Sequence, residues 1–124
     1  MKKANFSNID LSIIIPVYNS QNILPKLVKS IFFLLKKKKI IFEIFLVNDF
    51  SHDNSWEVIK SLSSNYKFVK GINLSINFGQ HNAIMAALNQ CNGKNVITLD
   101  DDFQHSPNNI IDIYQELLKG FDVC

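Results

Sequence analysis

Asp100, Asp101 and Asp102 follow directly on the apolar run Val96-Ile97-Thr98-Leu99. Three adjacent carboxylates repel one another unless a cation compensates them. In an extended segment Asp100 and Asp102 point to one side and Asp101 to the other. That spacing suits two carboxylates on one hard divalent cation, or one on the cation and the other on a sugar hydroxyl. Such cations take oxygen ligands and keep positions open for phosphate oxygens. Gln104 continues the alternation and can add a carbonyl oxygen. The bland alternative is a solvated acidic loop before the next helix, whose N-terminus favours negative charge. The position at a strand end, where ligands bind in sheets of this kind, favours the cation.

Asp49 and Asp53 lie in the turn-rich stretch Asn48-Asp49-Phe50-Ser51-His52-Asp53-Asn54-Ser55. Asp53 precedes a helix and reads as a capping residue. Asp49 suits either the same local work or acceptance of a hydrogen bond from the imide or amide N–H of a base. Gly79, just before a helix, allows close backbone approach to an anion, or is a plain turn glycine. His52, His81 and His105 fall in loops or helix starts and read as surface hydrogen-bonding groups. The sequence holds no GxGxxG or P-loop pattern and no Gly-x-Ser-x-Gly, and neither Cys91 nor Cys124 has a catalytic setting.

The elements that would carry these residues alternate. Leu11 to Val17 is a β-branched run and reads as a buried strand. Asn22 offers an N-cap, with Pro25 tolerated in the first turn. Ile23, Leu24, Leu27, Val28, Ile31, Leu34 and Leu35 then recur at helical spacing. Lys36 to Lys39 suit the negative end of that helix. Phe42 to Val47 reads as a second strand and Trp56 to Leu62 as a second helix. Phe68 to Leu74 reads as a third strand interrupted by Gly71. A helix over 80–89 follows, capped by Asn92-Gly93. Val96 to Leu99 is a fourth strand. Ser106-Pro107 opens a last helix with Ile110, Ile113, Tyr114, Leu117 and Leu118 on one side, and Phe121 to Cys124 begins a fifth strand.

This β-α-β-α-β-α-β-α-(β) order predicts an α/β fold with a parallel sheet covered by helices on both faces. In such sheets ligands bind beyond the C-terminal strand ends. Four polar clusters fall there: Tyr18-Asn19, Asn48 to Asn54, Asn77 to His81 and Asp100 to His105. Their convergence on one sheet edge is the main functional signal.

The 124 residues fit one domain or a piece of one, and 47% hydrophobic content with 19% charge excludes a disordered or coiled-coil chain. Two cysteines are too few for a disulfide framework. A net charge of +2, with all 13 basic residues lysine, disfavours a nucleic-acid partner. The apolar stretch Ile31 to Leu35, which stops at the lysine run, is far short of the about 20 residues needed to cross a bilayer. Met1 to Asp10 is a polar tail without an apolar signal core. The expected location is therefore cytoplasmic. The lysine run suits a solvated helix end, and peripheral contact with anionic lipid at the cytoplasmic membrane face is the sharper alternative.

Four ordered segments resemble glycosyltransferase family 2: Ile14-Ile15-Pro16-Val17-Tyr18-Asn19, Leu46 to Asp53, Asn77 to Ala86, and Asp100-Asp101-Asp102-Phe103-Gln104-His105. Within it they are similar to the polyprenyl-phosphate glycosyltransferases, of the dolichyl-phosphate mannose synthase and undecaprenyl-phosphate sugar transferase type. The resemblance implies a Rossmann-like nucleotide-diphospho-sugar transferase (GT-A) fold. It also implies inverting transfer from a nucleotide-diphospho-sugar donor to a lipid phosphate. By motif match, Pro16, Tyr18 and Asp49 would line the nucleotide base, with Gly79, Asp100 and Asp101 among the donor contacts. Asp100 and Asp102 would form the D-x-D pair on Mg²⁺ or Mn²⁺, with Gln104 as a further ligand.

Three departures from the family pattern stand out. Phe50 replaces a usual Gly, which would distort the base-binding turn. Ile76 replaces a frequent basic residue, and Ser106 a common Pro. The family's acceptor-binding half would lie beyond Cys124, so residues 11–124 are expected to be the donor-binding part, truncated after the fourth β-α unit. A strand that starts as the chain stops leaves an edge uncovered, which predicts self-association. The alternative to an enzyme is a remnant that binds a nucleotide-sugar or divalent cation without transfer. A receiver-type regulatory domain is disfavoured, because its acidic cluster would follow the first strand, where Val17-Tyr18-Asn19 stand.

Overall fold

The computed structural model describes residues 8–74, 80–99 and 108–119. Its elements are β1 (Leu11–Val17), α1 (Leu24–Lys37), β2 (Phe42–Asp49), α2 (Ser55–Asn65), β3 (Val69–Leu74), α3 (Gln80–Leu88), β4 (Asn95–Thr98) and α4 (Asn108–Leu118). The strands form one sheet in the order β3-β2-β1-β4, and every neighbouring pair is parallel. The alternating α/β architecture expected from the sequence is the one observed. The proposed fifth strand, Phe121 to Cys124, lies outside the described residues.

The strand order explains which face each helix covers. Travel from β1 to β2 to β3 moves one way across the sheet, and Leu24, Leu27, Val28 and Ile31 of α1 pack with Ile59 and Leu62 of α2 on one face. The return from β3 to β4 reverses direction. With right-handed crossovers, a reversed connection must pass over the opposite face. Ala83 and Ala87 of α3 do pack there, against Ile14, Phe45 and Val47. Ile110, Ile111 and Tyr114 of α4 join the α1–α2 face. β1 and β2 are thus covered on both sides, which is why they read as continuous apolar runs rather than alternating ones. Ile31 in α1 is fully buried, and truncating such a side chain to Ala costs about 2–5 kcal/mol.

Pro16 in the central strand β1 fits this layout. Leu99 N–H donates to Ile14 O, so the even-numbered residues of β1 turn their backbone groups toward β4. Pro16 therefore removes no bond from the β1–β2 ladder, and the β4 ladder has already ended at Thr98, opposite Ile14.

Several boundaries differ from the sequence expectation. Asn22 is not the N-cap of α1: Ile23 is, without a side-chain capping bond, and the tether is instead Ser20 O accepting from the N–H groups of Ile23 and Leu24. Strand β2 runs two residues further, to Asp49, because Asn48 and Asp49 keep pairing with Asn73 and Leu74 of β3. Strand β3 starts at Val69, after a turn in which Val69 N–H donates to Tyr66 O. Gly71 does not interrupt β3. A Cβ there would lie 2.6 Å from Ile59 and 3.3 Å from Trp56, so the glycine lets α2 approach the strand.

Asn92-Gly93 does not cap α3, which ends at Leu88. Gly93 instead presses on β1, where a Cβ would meet Ser12 N at 2.6 Å and Leu11 C at 2.8 Å. Its N–H donates to Ser12 Oγ (2.8 Å). That contact belongs to a buried polar cluster at the N-terminal end of the strands. Glu43, 1% exposed, accepts from Ser12 Oγ–H (2.6 Å), Lys70 Nζ (2.8 Å) and Asn92 N–H (2.7 Å). Burial alone would raise its pKa, yet the Lys70, Ser12 and Asn92 bonds outweigh burial and hold the carboxyl below its ordinary value. One carboxylate thus ties β1, β2, β3 and the α3–β4 connection together. On the helical side, the same end is closed by Phe32, Phe42, Tyr66 and Phe68, with Phe32 and Phe68 stacked at 5.2 Å. Among the described residues, no helix is long and apolar enough to cross a membrane.

Candidate functional site

The C-terminal strand edge is built from the loops after β1 and β2, and these two loops are hydrogen-bonded to each other. Asn19 N–H donates to Ser51 Oγ (3.0 Å), and His52 N–H donates back to Asn19 Oδ1 (2.7 Å). Ser20 N–H donates to Ser55 Oγ (2.8 Å), Gln21 N–H to Asp53 Oδ2 (3.3 Å), and Asn54 N–H to Gln21 Oε1 (2.7 Å). Beneath them Asn48 Nδ2 donates to Asn73 Oδ1 (2.8 Å) across the β2–β3 register, and Asn48 Oδ1 accepts from Ser51 N–H (3.3 Å). Short polar side chains in place of regular secondary structure satisfy the backbone at this edge, which fixes the loops without filling the space above the strands.

Two residues in these loops hold left-handed backbone, Asn19 at φ 52° and Phe50 at φ 56°. Asn tolerates that region because its side chain bonds locally, whereas a bulky aromatic there is strained. The turn expected to be distorted by Phe50 therefore forms with Phe50 in a glycine-like conformation. Its ring is 43% exposed and lies edge-on to His52 at 5.3 Å, and His52 lies edge-on to Tyr18 at 6.1 Å. Three rings thus border the edge.

Of the donor-site residues that the family resemblance implies, Pro16, Tyr18 and Asp49 are described. Pro16 follows the alternation of Ser12 and Ile14, and Asp49 that of Phe45 and Val47, so both lie on the sheet face that α3 covers. Pro16 is directly opposite Val47, two residues before Asp49. Asp49 closes β2 and is 6% exposed, while Tyr18 is 45% exposed at the rim. Asp53 does local work at the start of α2, from the position before the N-cap, which is Asn54. Its Oδ1 accepts from Ser55 N–H (2.9 Å) at the start of α2, while its Oδ2 holds Gln21. Partial desolvation raises its pKa, but the Ser55 and Gln21 bonds prevail and lower it.

Gly79, Asp100, Asp101, Asp102 and Gln104 lie outside the described residues, as do Asn77, Ser106 and His105. Leu99, the last described residue before Asp100, follows the C-terminal end of β4 and donates its N–H to Ile14 O in the middle of β1. Among the described residues, no group of three His, Cys, Asp or Glu side chains is placed to hold a metal ion. Sequence reasoning missed Ser20, Gln21, Ser55 and Asn73, whose roles depend on loops 25 to 35 residues apart meeting. No local pattern marks them. The signal that was available is the density of Asn and Ser after two apolar runs.

Comparison with known proteins agrees with this architecture. The model of Glycosyl transferase family 2 matches residues 12–124. The chain is 44% identical over 115 residues to an undecaprenyl-phosphate 4-deoxy-4-formamido-L-arabinose transferase of Pseudomonas fluorescens strain Pf0-1, covering 91% of this chain and 34% of that protein. It thus spans about a third of the length of the curated relatives it matches. Among solved structures it is similar to residues 1–349 of S. aureus TarS in complex with UDP-GlcNAc. That match has a TM-score of 0.68 and 25% identity, over 90% of this chain and 32% of the other. It is also similar in fold to glucosyl-3-phosphoglycerate synthase from Mycobacterium tuberculosis in complex with Mn²⁺, UDP and phosphoglyceric acid. There the TM-score is 0.70 and the identity 17%, over 90% of this chain and 39% of the other. A family match that runs from the second residue of β1 through every element described above leaves one assignment: the chain belongs to glycosyltransferase family 2.

Proposed function

We propose that residues 11–124 form the donor-binding part of a glycosyltransferase that moves a sugar, with inversion, from a nucleotide-diphospho-sugar to a polyprenyl phosphate. The observation that carries this reading is the bonded pair of loops at the C-terminal end of β1 and β2. It lies where ligands bind in open parallel sheets, next to the point at which the strand order reverses between β1 and β4. The relatives named for undecaprenyl-phosphate sugar transfer support the acceptor class. The solved relatives with UDP-GlcNAc or with UDP and Mn²⁺ support the donor class and a divalent cation.

Each residue then has a chemical task. Asp49 accepts a hydrogen bond from an N–H of the base, while Pro16 and Tyr18 supply apolar and aromatic surface against its ring. Asp100, Asp102 and Gln104 are an all-oxygen donor set, which suits hard Mg²⁺ or Mn²⁺ better than a softer metal. Asp101 and Gly79 contribute to holding the donor. The bound cation would supply charge stabilisation to the departing nucleotide diphosphate. The acceptor phosphate is already anionic at neutral pH, so its oxygen can attack the anomeric carbon as the bond to the diphosphate breaks, with no proton to remove. The chain's own contribution is to orient the donor, and orientation supplies a large share of such a barrier reduction.

Calorimetric titration of UDP- and GDP-sugars tests this. Binding with Mn²⁺ or Mg²⁺ present and much weaker binding in EDTA is expected, because an acidic strand end repels a bare diphosphate. Equal affinity in EDTA removes the cation from the account. Absence of binding in both conditions contradicts the donor-binding reading.

A further inference from the structure

The outer face of α1 carries a basic stripe that the donor site does not use. Lys26, Lys29, Phe33, Lys36 and Lys37 recur at intervals of three, four, three and one residues. On a helix of 3.6 residues per turn they share an arc of roughly 120°. The buried residues Leu24, Leu27, Val28, Ile31 and Leu35 occupy the opposite side. Phe33, in the middle of the stripe, is 59% exposed, with its ring tilted against that of Phe32 at 5.5 Å. The sequence from Leu24 to Lys39 contains six of the chain's 13 lysines and no acidic residue. Among the described residues, no carboxylate lies within salt-bridge distance of Lys26, Lys29, Lys36 or Lys37. Elsewhere most described lysines do find partners: Lys60 with Glu57, Lys70 with Glu43, Lys94 with Asp10, and Lys119 with Glu116. Among the described residues the lysines without an ion pair are therefore concentrated in α1 and the two residues after it, with Lys67 the exception.

We infer that this face of α1 is a docking surface for an anionic lipid bilayer. Lysines around a protruding aromatic ring match what a negatively charged headgroup layer offers, electrostatic attraction outside and apolar depth beneath. Lys36 lies over the Phe32 ring at 5.2 Å, so its charge is held at the helix surface rather than folded away. Helix α1 begins directly after the donor-edge loop, where Ser20 anchors its first turn. A bilayer along this flank leaves the C-terminal sheet edge open at its side. The inference goes beyond the sugar-transfer reading and does not require it, since vesicle binding needs neither donor nor transfer.

The test is co-sedimentation of the purified chain with vesicles of phosphatidylglycerol and phosphatidylcholine, against phosphatidylcholine alone, at low and high salt. Two triple variants carry the same change in net charge. They are Lys26→Gln/Lys29→Gln/Lys36→Gln on the stripe and Lys60→Gln/Lys94→Gln/Lys119→Gln away from it. Circular dichroism confirms that both fold. Binding only to the anionic vesicles, weakened by salt, is expected. The stripe variant should lose at least about tenfold in partitioning, and the control less than about threefold. Phe33→Ser alone should also reduce binding. Equal losses in the two triples would mean that net charge alone drives binding. No binding to anionic vesicles, or self-association of the chain abolished by Phe33→Ser, would also overturn the inference, the latter by assigning the face to a second copy.

Discussion

At the N-terminal end of the strands, the Glu43 carboxylate is buried and takes hydrogen bonds from Ser12, Lys70 and Asn92. At the C-terminal end, Asn19 and Phe50 hold left-handed backbone, and Tyr18 and Phe50 keep more than two-fifths of their surface in solvent. Both ends are polar, and both join segments distant in sequence. The difference is that one end turns its polar groups inward on a single saturated acid. The other spends them on fixing two loops around an open rim. A cluster whose partners are all internal has little left to offer a ligand. A cluster that holds strained backbone and exposed rings in place is arranged for something it does not itself contain.

The contrast can be broken at the closed end first, where the largest effects are expected. Glu43→Ala leaves the Ser12 hydroxyl and the Asn92 N–H without their acceptor. It should cost about 3 kcal/mol in urea unfolding. Lys70 adds little to that figure because its side chain is 43% exposed. Nucleotide-sugar affinity per folded molecule should not change. Gly93→Ala drives a methyl group into the β1 backbone and should cost about 2 kcal/mol, read in the same way.

Acid titration sharpens the comparison. Folding lowers the Glu43 pKa below its ordinary 4.5, so the folded state binds fewer protons than the unfolded chain in that range. The corresponding stability is complete above about pH 4.5 and is lost as pH falls through the lowered folded value. Unfolding measured against pH should show a shallower acid limb in Glu43→Gln than in the parent chain. Asp53 acts in the same direction, since its pKa is also lowered.

At the open end the stability effects are smaller. Asp53→Ala removes the acceptor at the start of α2 and should cost about 1 kcal/mol in thermal or urea unfolding. Phe50→Gly should do the reverse. Relief of left-handed strain outweighs the lost His52 contact and the added chain entropy, for a net gain of about 0.5 kcal/mol. A loss of more than that would show that the Phe50 ring is needed to hold the loop.

Most of the element order was legible because β1 and β2 are buried on both faces and read as unbroken apolar runs, while α1 and α4 show one apolar stripe. The C-terminal strand edge was legible as polar clusters following those runs, and Asp53 as a local acceptor just before α2. What escaped was long-range. Glu43 sits alone among apolar neighbours, and nothing nearby in sequence announces Ser12, Lys70 or Asn92 as partners. Gly93 looked like a helix cap because Asn-Gly is a common helix ending. Its actual task, contact with β1 some eighty residues earlier, exists only once the sheet has formed. Asn22 looked like an N-cap for the same local reason, whereas Ser20 anchors the helix start through its bond to Ser55.

The two-ended account stands or falls on where a donor lands. Backbone amide shifts recorded during titration of the isotope-labelled chain with a UDP- or GDP-sugar and Mg²⁺ measure this directly. The account predicts shifts concentrated on Tyr18, Asn19 and Asp49 to His52, removed by EDTA, with Ser12, Glu43, Lys70 and Gly93 unmoved. Shifts centred on the Glu43 cluster, or spread evenly over both ends of the sheet, would contradict it.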